Sequence, residues 1–203
     1  SETVYVYAQL AHRMCLYNIK TELEDLAMKY MEPDAYKEIA RKLAETKRER
    51  TRYINEFIKP IKDKLEKGQF DFEIYGRPKS IHSIWNKMKK QNIDFEQVYD
   101  FFAIRIITHG SLQDEKPDCW KAYSIVTNIY QPNPSRMRDW ISAPKANGYE
   151  SLHATVIGPR GKWIEVQIRS ERMDEAAEKG RAAHWKYKEL PVNEGDAADK
   201  WLS

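Results

Sequence analysis

The spacing of apolar residues changes at Phe70, and this change constrains the fold more than any other feature of the sequence. Before it, apolar residues recur every three or four positions, which is typical of helices packed along one side. After it, Phe70, Phe72 and Ile74 alternate with other residues, as in a strand that is buried on one face. We therefore expect helices first and a sheet afterwards.

The first part of the chain is predicted to hold several helices. The apolar stripe from Leu16 to Tyr30 predicts one helix, and Pro33 suits the first turn of the next, where a missing N–H costs nothing. The apolar run from Ile54 to Leu65 predicts a further helix. We expect Pro60 to kink or break it and Gly68 to end it.

The rest of the chain alternates between strand and helix patterns. Strands are predicted at 70–76, 101–108, 151–158 and 162–170, and helices at 80–90, 118–130 and 171–187. The turn Gly158-Pro159-Arg160-Gly161 should join the last two strands as a hairpin. This order predicts an α+β fold, a mixed β-sheet flanked by helices and preceded by a helical linker region at 1–69. The sheet domain is expected at 70–189 and a polar tail at 190–203.

Composition excludes several classes of protein. Of 203 residues, 41% are hydrophobic and 32% charged, as in a soluble globular protein and not a disordered chain. No apolar run is long enough to cross a bilayer, so we expect no membrane partner. The net charge of +3 is too small to imply nucleic acid by itself. Cys15 and Cys119 form no C-x-x-C pair, which favours reduced thiols in a cytoplasmic protein.

Several familiar motifs do not occur in this sequence. It contains neither G-x-x-x-x-G-K-[ST] nor G-x-G-x-x-G, and no G-x-S-x-G accompanies a candidate triad. The five histidines show no H-x-x-x-H or H-D spacing, so we expect no transition-metal site. The spacing of Gly158 and Gly161 matches the KH clamp, but that clamp joins helices and this turn joins strands.

A first candidate site surrounds the glycine that follows the first strand. Gly76 frees the backbone to approach a ligand, and the next helix offers its positive N-terminal end to an anion. The stretch 75–90 has five basic residues and no acidic one, which favours a phosphate site over a solvated basic helix. The candidate residues are Arg77, Lys79, Ser83 and Lys87.

Two strands carry carboxylates. Asp100, at the mouth of an apolar strand, could hold Mg²⁺, which prefers one or two carboxylates plus phosphate oxygens, or be an ordinary strand-edge acid. Strict alternation puts Asp100 and Arg105 on opposite faces, so a strand end or bulge must reconcile them if both serve one site. Glu165, Gln167 and Arg169 share the polar face of the last strand. This face indicates either a site or an edge strand that faces solvent.

The segment 136–153 crowds basic, amide and aromatic groups onto a turn that leads into a strand. Asn147-Gly148 is typical turn chemistry. Tyr149 follows the turn and could stack on a base, or it could be a tyrosine of the core.

Together these segments resemble the synthetase domain of the RelA/SpoT homologue family, the stringent-response alarmone synthetases. The resemblance runs from about Tyr75 to Glu189 through GRPKSIHSIWNKM, DFFAIRI, RMRDWISAPKANGYESLHATVIG and EVQIRSERMDEAAEKGRAAHWKYK. The N-terminal stretch from YAQLAHRM to ARKL resembles the helices that link hydrolase to synthetase in the long, bifunctional-type members. The resemblance implies hydrolase and C-terminal regulatory domains as partners outside this chain. A ribosome contact would come only through those absent regions.

The resemblance implies a nucleotidyltransferase-like fold, Mg²⁺ as cofactor and a pyrophosphate transfer. ATP would donate its β,γ-pyrophosphate to the ribose 3′-OH of GDP or GTP, giving AMP and ppGpp or pppGpp. Asp100 and Glu165 would be catalytic and bind the metal. ATP would be bound by Arg77, Lys79, Ser83, Lys87 and Arg105, with adenine between the two arginines. The GDP or GTP would be bound by Arg138, Lys145, Asn147, Tyr149, His153 and Gln167, with guanine stacked on the tyrosine.

The segment Arg136-Met137-Arg138-Asp139 resembles the basic version of the family's R-x-K-D segment, with arginine where lysine is usual. The basic version occurs in members that also hydrolyse. The alternative function is a non-catalytic nucleotide- or RNA-binding module of the same fold. Asp100 and Glu165 favour the enzyme, because a protein that only binds polyphosphate does not need carboxylates facing its ligand.

Overall fold

A computed structural model describes residues 2–14, 16–98 and 100–179. Over these residues helices come first and the strands follow Phe70, as predicted. In chain order the elements are α1 (Glu2–Arg13), α2 (Tyr17–Met31), α3 (Pro33–Glu45), α4 (Lys47–Lys67), β1 (Phe72–Pro78), α5 (Ile81–Gln91), β2 (Phe102–Thr108), α6 (Glu115–Ile129), β3 (Arg138–Asp139), β4 (Leu152–Ile157), β5 (Trp163–Ser170) and α7 (Glu171–Lys179).

The strands form one mixed sheet in the order β1-β2-β5-β4-β3. β2 and β5 pair in parallel, and the other neighbours are antiparallel. The predicted mixed sheet flanked by helices is thereby confirmed, as is the hairpin of β4 and β5. Since β5 lies in the middle of the sheet, its polar face does not belong to an edge strand, and that interpretation is wrong.

One hydrophobic core holds the sheet against α4 and α6. Helix α4 contributes the buried stripe Tyr53, Phe57, Ile61 and Leu65. Gly76 has a packing role that the sequence did not indicate, because a Cβ there would lie 2.7 Å from the side chain of Ile54 on α4. The last helix of the predicted linker region therefore shares the core of the sheet.

A second apolar cluster joins the earlier helices to α5. Met28 of α2, Ile39 of α3 and Ile84 of α5 are buried together with Phe95. This packing places α2 beside the loop between β1 and α5. No helix in the described ranges is long and apolar enough to cross a membrane.

We expected Pro60 to kink or break this helix, and the break is wrong, because α4 continues through the proline as one helix. Buried residues lie on both sides of the proline at helical spacing, and their packing outweighs the lost backbone hydrogen bond. The helix does end at Gly68, whose N–H bonds to the carbonyl of Lys64 at 3.1 Å. Helix α6 starts three residues earlier than predicted, with Pro117 in the first turn, where its missing N–H is harmless.

Three predictions fall partly or wholly outside the described residues. These are the end of the last helix after Lys179, the polar tail at 190–203, and the state of Cys15. Cys119 is a free thiol, fully buried, and burial raises its pKa to about 12.

Replacing Pro60 with alanine should stabilise the protein. Alanine restores an N–H for the helix, and this gain exceeds the chain entropy that proline removes from the unfolded state. We expect the free energy of unfolding, measured by urea titration, to rise by about 1–2 kcal/mol. The exposed neighbour Lys59, replaced by alanine, is the control and should change little. If the free energy of unfolding of Pro60→Ala were unchanged or lower, the missing helix hydrogen bond would cost no more than the chain entropy that proline removes.

Candidate active site

A cavity of about 320 Å³ lies between the end of β1, the start of α5 and the polar face of β5. It brings together side chains from segments that are far apart in sequence. The predicted residues that line it are Arg77, Lys79, Ser83, Lys87, Asp100, Glu165 and Gln167. We call it the first cavity.

The ammonium group of Lys79 lies between two carboxylates of the first cavity. Its Nζ is 2.6 Å from Asp100 Oδ2 and 4.0 Å from Glu165 Oε2. Lys87 Nζ donates to the other oxygen of Asp100. Burial alone would raise the pKa of Asp100, but the hydrogen bonds from Lys79 and Lys87 outweigh it and hold that pKa below its ordinary value. Asp100 is therefore an ionised carboxylate at neutral pH.

Asp100 precedes β2, so the alternation of side chains along that strand does not apply to it, and it can serve the same site as Arg105. The Lys79 N–H donates to the Phe101 carbonyl at 2.9 Å and so links the end of β1 to the start of β2. Arg105 lies inside β2 and faces a neighbouring cavity.

Helix α2 covers the N-terminus of α5. Ser80 caps α5 by accepting from the Ser83 N–H at 3.1 Å, and Asp25 of α2 accepts from the His82 N–H at 2.8 Å. The helix end that was expected to face an anion thus bonds a carboxylate of this chain. Thr21 of α2 lines the first cavity.

A second cavity of about 210 Å³ adjoins the first and shares Thr21, Arg77 and Gln167 with it. It contains most of the residues predicted for the guanine nucleotide. The other residues that line it are Tyr17, Arg105, Lys145, Tyr149, His153, Arg169, Ala177 and Glu178.

Tyr149 forms part of the wall of the second cavity and lies outside the hydrophobic core. Asn147 Oδ1 accepts from its backbone N–H at 3.1 Å, which fixes the turn. The Tyr149 hydroxyl bonds His153 Nε2 at 2.8 Å, and Lys145 Nζ is 4.9 Å from the ring centroid. Tyr17 of α2 meets the ring edge to face at 6.1 Å.

His153 is neutral at physiological pH. Burial lowers its pKa to about 4, and the nearby arginines and Lys145 act in the same direction. Glu165, 3.6 Å from His153 Nδ1, opposes this shift but does not overcome it. His153 therefore contributes hydrogen bonds and not charge.

Arg138 does not join the other predicted residues. It lies exposed on the edge strand β3, and its guanidinium donates to the carbonyls of Ser135 and Met137 at 3.1 and 2.8 Å. It lines neither cavity. Asn147 does not line them either, and its Nδ2 donates to the Tyr17 hydroxyl at 3.0 Å.

Sequence reasoning missed two acids on α7 that hold the arginines of the second cavity. Arg105 is almost fully buried, and its Nη1 lies 2.8 Å from Glu178 and 3.2 Å from Asp174. The available signal was the four-residue spacing of Asp174 and Glu178, which puts both on one helix face. Tyr17 and Thr21 of α2 were also missed, and no local pattern marks them.

Comparison with known proteins settles the family. The family described as "Region found in RelA / SpoT proteins" matches residues 76–191, more than half of the chain. This chain belongs to the RelA/SpoT family.

Two curated relatives and one solved structure show how the RelA/SpoT chain relates to its neighbours. A GTP pyrophosphokinase of Photobacterium angustum is 42% identical over 99% of this chain and 27% of its own length. A guanosine-3′,5′-bis(diphosphate) 3′-pyrophosphohydrolase of Aquifex aeolicus is 40% identical over 99% of this chain and 28% of its own. The chain thus spans about a quarter of the length of these relatives. Small alarmone synthetase 2 of Bacillus subtilis aligns over 66% of this chain and 73% of its own, at 25% identity and a TM-score of 0.48.

A buried ionic network fixes the start of α7 in this RelA/SpoT domain. Arg172 donates to Glu115 of α6 through two nitrogens, at 3.0 and 2.7 Å, and to Glu150 at 2.7 Å. Ser170 adds a hydrogen bond to Glu115 at 2.9 Å. The side chains of Arg172, Glu115 and Glu150 are all largely buried, so the ion pairs between them must compensate for the water contacts that each has lost.

Replacing Arg172 with methionine should destabilise the fold strongly, because it leaves two buried carboxylates without their partner. We expect the free energy of unfolding from urea titration to fall by about 3–5 kcal/mol. Arg41 is the matched control, since it also bridges two glutamates, Glu38 and Glu45, but on the exposed surface. Arg41→Met should leave stability nearly unchanged. Equal effects of the two substitutions would contradict a role for burial.

Proposed function

We propose that this chain is a (p)ppGpp synthetase domain, which transfers the β,γ-pyrophosphate of ATP to the 3′-OH of GDP or GTP and releases AMP. The observation that carries this proposal is the position of Lys79 between Asp100 and Glu165 inside a cationic cavity. The relatives named GTP pyrophosphokinase support the reaction class. We place the reaction in the cytoplasm.

The donor set of the first cavity fits Mg²⁺. Asp100 and Glu165 supply two carboxylates that already face one cationic group, and Mg²⁺ is held by one or two carboxylates plus substrate phosphates. Within the described ranges, no group of three or more His, Cys, Asp or Glu side chains could hold a metal ion. When bound, the metal would neutralise charge on the phosphates during transfer.

The lysines and the start of α5 would hold the triphosphate of ATP. Lys79 and Lys87 give two ammonium groups at the cavity wall, and Ser83 adds a hydroxyl. Arg77 lines both cavities and Arg105 lines the second, and we propose that adenine is stacked between them where the two cavities meet. In the structure Arg77 donates to Asn18 at 3.2 Å and Arg105 pairs with Glu178, so these contacts must rearrange around the base.

Glu165 would take the proton of the acceptor hydroxyl. The 3′-oxygen forms a bond to the β-phosphorus of ATP, the bond from that phosphorus to the oxygen bridging it to the α-phosphorus breaks, and AMP leaves with that oxygen. The hydroxyl proton passes to the carboxylate of Glu165. This step needs positioning and charge neutralisation more than covalent catalysis.

Tyr149 would stack on guanine in the second cavity. Lys145 and His153 flank the ring, Gln167 faces the same space, and all line that cavity. Asn147 fixes the turn that presents the ring. Arg138, which lies on the exposed edge strand, would add positive charge on the acceptor side.

The alternative, a nucleotide- or RNA-binding module without catalysis, is less well supported. A protein that only binds polyphosphate gains nothing from carboxylates that repel it. Asp100 and Glu165 lie beside the lysines of the first cavity, and this pairing favours the enzyme.

Replacing Glu165 with glutamine should nearly abolish synthesis while preserving the fold. The substitution keeps the volume but removes the charge that accepts the proton. We expect the rate of AMP and ppGpp formation from ATP, GDP and Mg²⁺ to fall about 100- to 10,000-fold. The exposed Glu171, replaced by glutamine, is the control and should retain activity. A wild-type rate in Glu165→Gln would exclude this mechanism.

Replacing Tyr149 with alanine should weaken guanine nucleotide binding selectively. Stacking a base on an aromatic ring contributes ~1–3 kcal/mol, so GDP affinity should fall about 5- to 150-fold. Tyr149→Phe keeps the ring face and should lose much less. ATP affinity and the melting temperature, measured in parallel, should hardly change in either variant. An unchanged GDP affinity in Tyr149→Ala would rule out stacking.

A further inference from the structure

A line of hydrogen bonds runs along the polar face of β5. Arg169 Nη2 donates to Gln167 Oε1 at 3.0 Å, and Gln167 Nε2 donates to Glu165 Oε1 at 2.8 Å. The three residues are two positions apart, so strand geometry alone puts them on one side. The line ends at the carboxylate that we assign to proton transfer.

The chemistry of arginine fixes the direction of this line. A guanidinium has only donors, so Gln167 must turn its amide oxygen toward Arg169. The amide NH₂ then faces Glu165, which as a carboxylate only accepts. If the amide were reversed, its NH₂ would face the guanidinium and its oxygen would face the carboxylate. Both contacts would be repulsive.

Arg169 is held in place by burial and by Asp174. Its side chain is 2% exposed, and its Nε lies 3.4 Å from Asp174 Oδ1 on α7. The same oxygen of Asp174 lies 3.2 Å from Arg105 Nη1. The guanidinium also lies 5.7 Å from the centroid of the Tyr149 ring. A charge so deeply buried, with so few alternative partners, has little freedom to turn away from Gln167.

We propose that Arg169 is a positioning residue, which sets the orientation of the Gln167 amide and thereby holds the Glu165 carboxylate toward the first cavity. The role of Glu165 in this inference rests on the proposed function, whereas the contacts between Arg169, Gln167 and Glu165 do not. Arg169 acts through Gln167, and its loss should therefore affect the rate more than nucleotide binding.

A kinetic double-mutant cycle tests this route. Arg169→Lys keeps the charge beside Asp174 but lacks the planar fork that reaches Gln167. We expect it to lower kcat about 10- to 100-fold, with KM for ATP and GDP changed less than about 3-fold. Gln167→Ala should lower kcat to a similar extent. If one acts through the other, the double variant loses no more than about 3-fold beyond the worse single variant. Losses that multiply would overturn the proposal.

A measurement without turnover tests the contacts separately. In NMR spectra of the nucleotide-free protein, the side-chain amide of Gln167 is assigned by its disappearance in Gln167→Ala. We expect Arg169→Lys to move the chemical shifts of the Gln167 side-chain amide toward those of an amide without hydrogen bonds, and to speed the hydrogen exchange of that amide. An unchanged resonance would overturn the proposal even if kcat fell.

The matched control is Arg160→Lys, the same substitution at an exposed arginine that pairs with Glu56 at 3.0 Å. It should alter neither kcat nor the Gln167 resonance. If the wild-type protein forms no AMP from ATP and GDP, the proposed function fails, and the NMR comparison still decides whether Arg169 orients Gln167.

Discussion

The alternation of side chains along β5 places apolar residues in the hydrophobic core and polar residues in the candidate site. Ile164, Val166 and Ile168 face the core that α4 and α6 cover, while Glu165 and its polar neighbours face the two cavities. β5 lies at the centre of the sheet, and its polar face is partly shielded from water, since the Arg169 side chain is 2% exposed and that of Glu165 is 32% exposed. A shift of one residue in its register would put charges into the core and empty the site.

Enclosure explains why the charges of the site are so closely paired. Attraction between opposite charges is stronger where water is partly excluded, and unpaired charges there are costly. Lys79 and Lys87 neutralise Asp100, while Asp174 and Glu178 neutralise Arg105. When a substrate binds with a metal ion, the phosphates would become partners of the lysines, and the metal ion would become a partner of Asp100. In the nucleotide-free protein, the contacts between opposite charges stabilise the fold and offset the repulsion between the like charges that the site brings together.

Local patterns were enough to predict most of the elements, and they marked segments that the structure brings together around the first cavity. Alternation or a buried apolar run identified the longer strands, and basic charge without acids identified the loop before α5. Pro60 shows where local rules fail, since packing on both sides carried α4 through it. The contacts of α2 could not be predicted, because Tyr17 meets Asn147 over 130 positions of sequence and Asn18 meets Glu178 over 160. Such contacts depend on how helices dock, and no residue spacing encodes that.

The proposed reaction moves a pyrophosphate from ATP to a guanosine nucleotide. It is tested by incubating the wild-type protein with GDP, Mg²⁺ and ATP that carries a label at the β-phosphate. The label should appear in ppGpp, with unlabelled AMP formed in equal amount, because the bond that breaks lies between the α- and β-phosphates. Label retained in ADP would mean transfer of a single phosphate, and label retained in ATP would mean no transfer. Either result would contradict the proposed function.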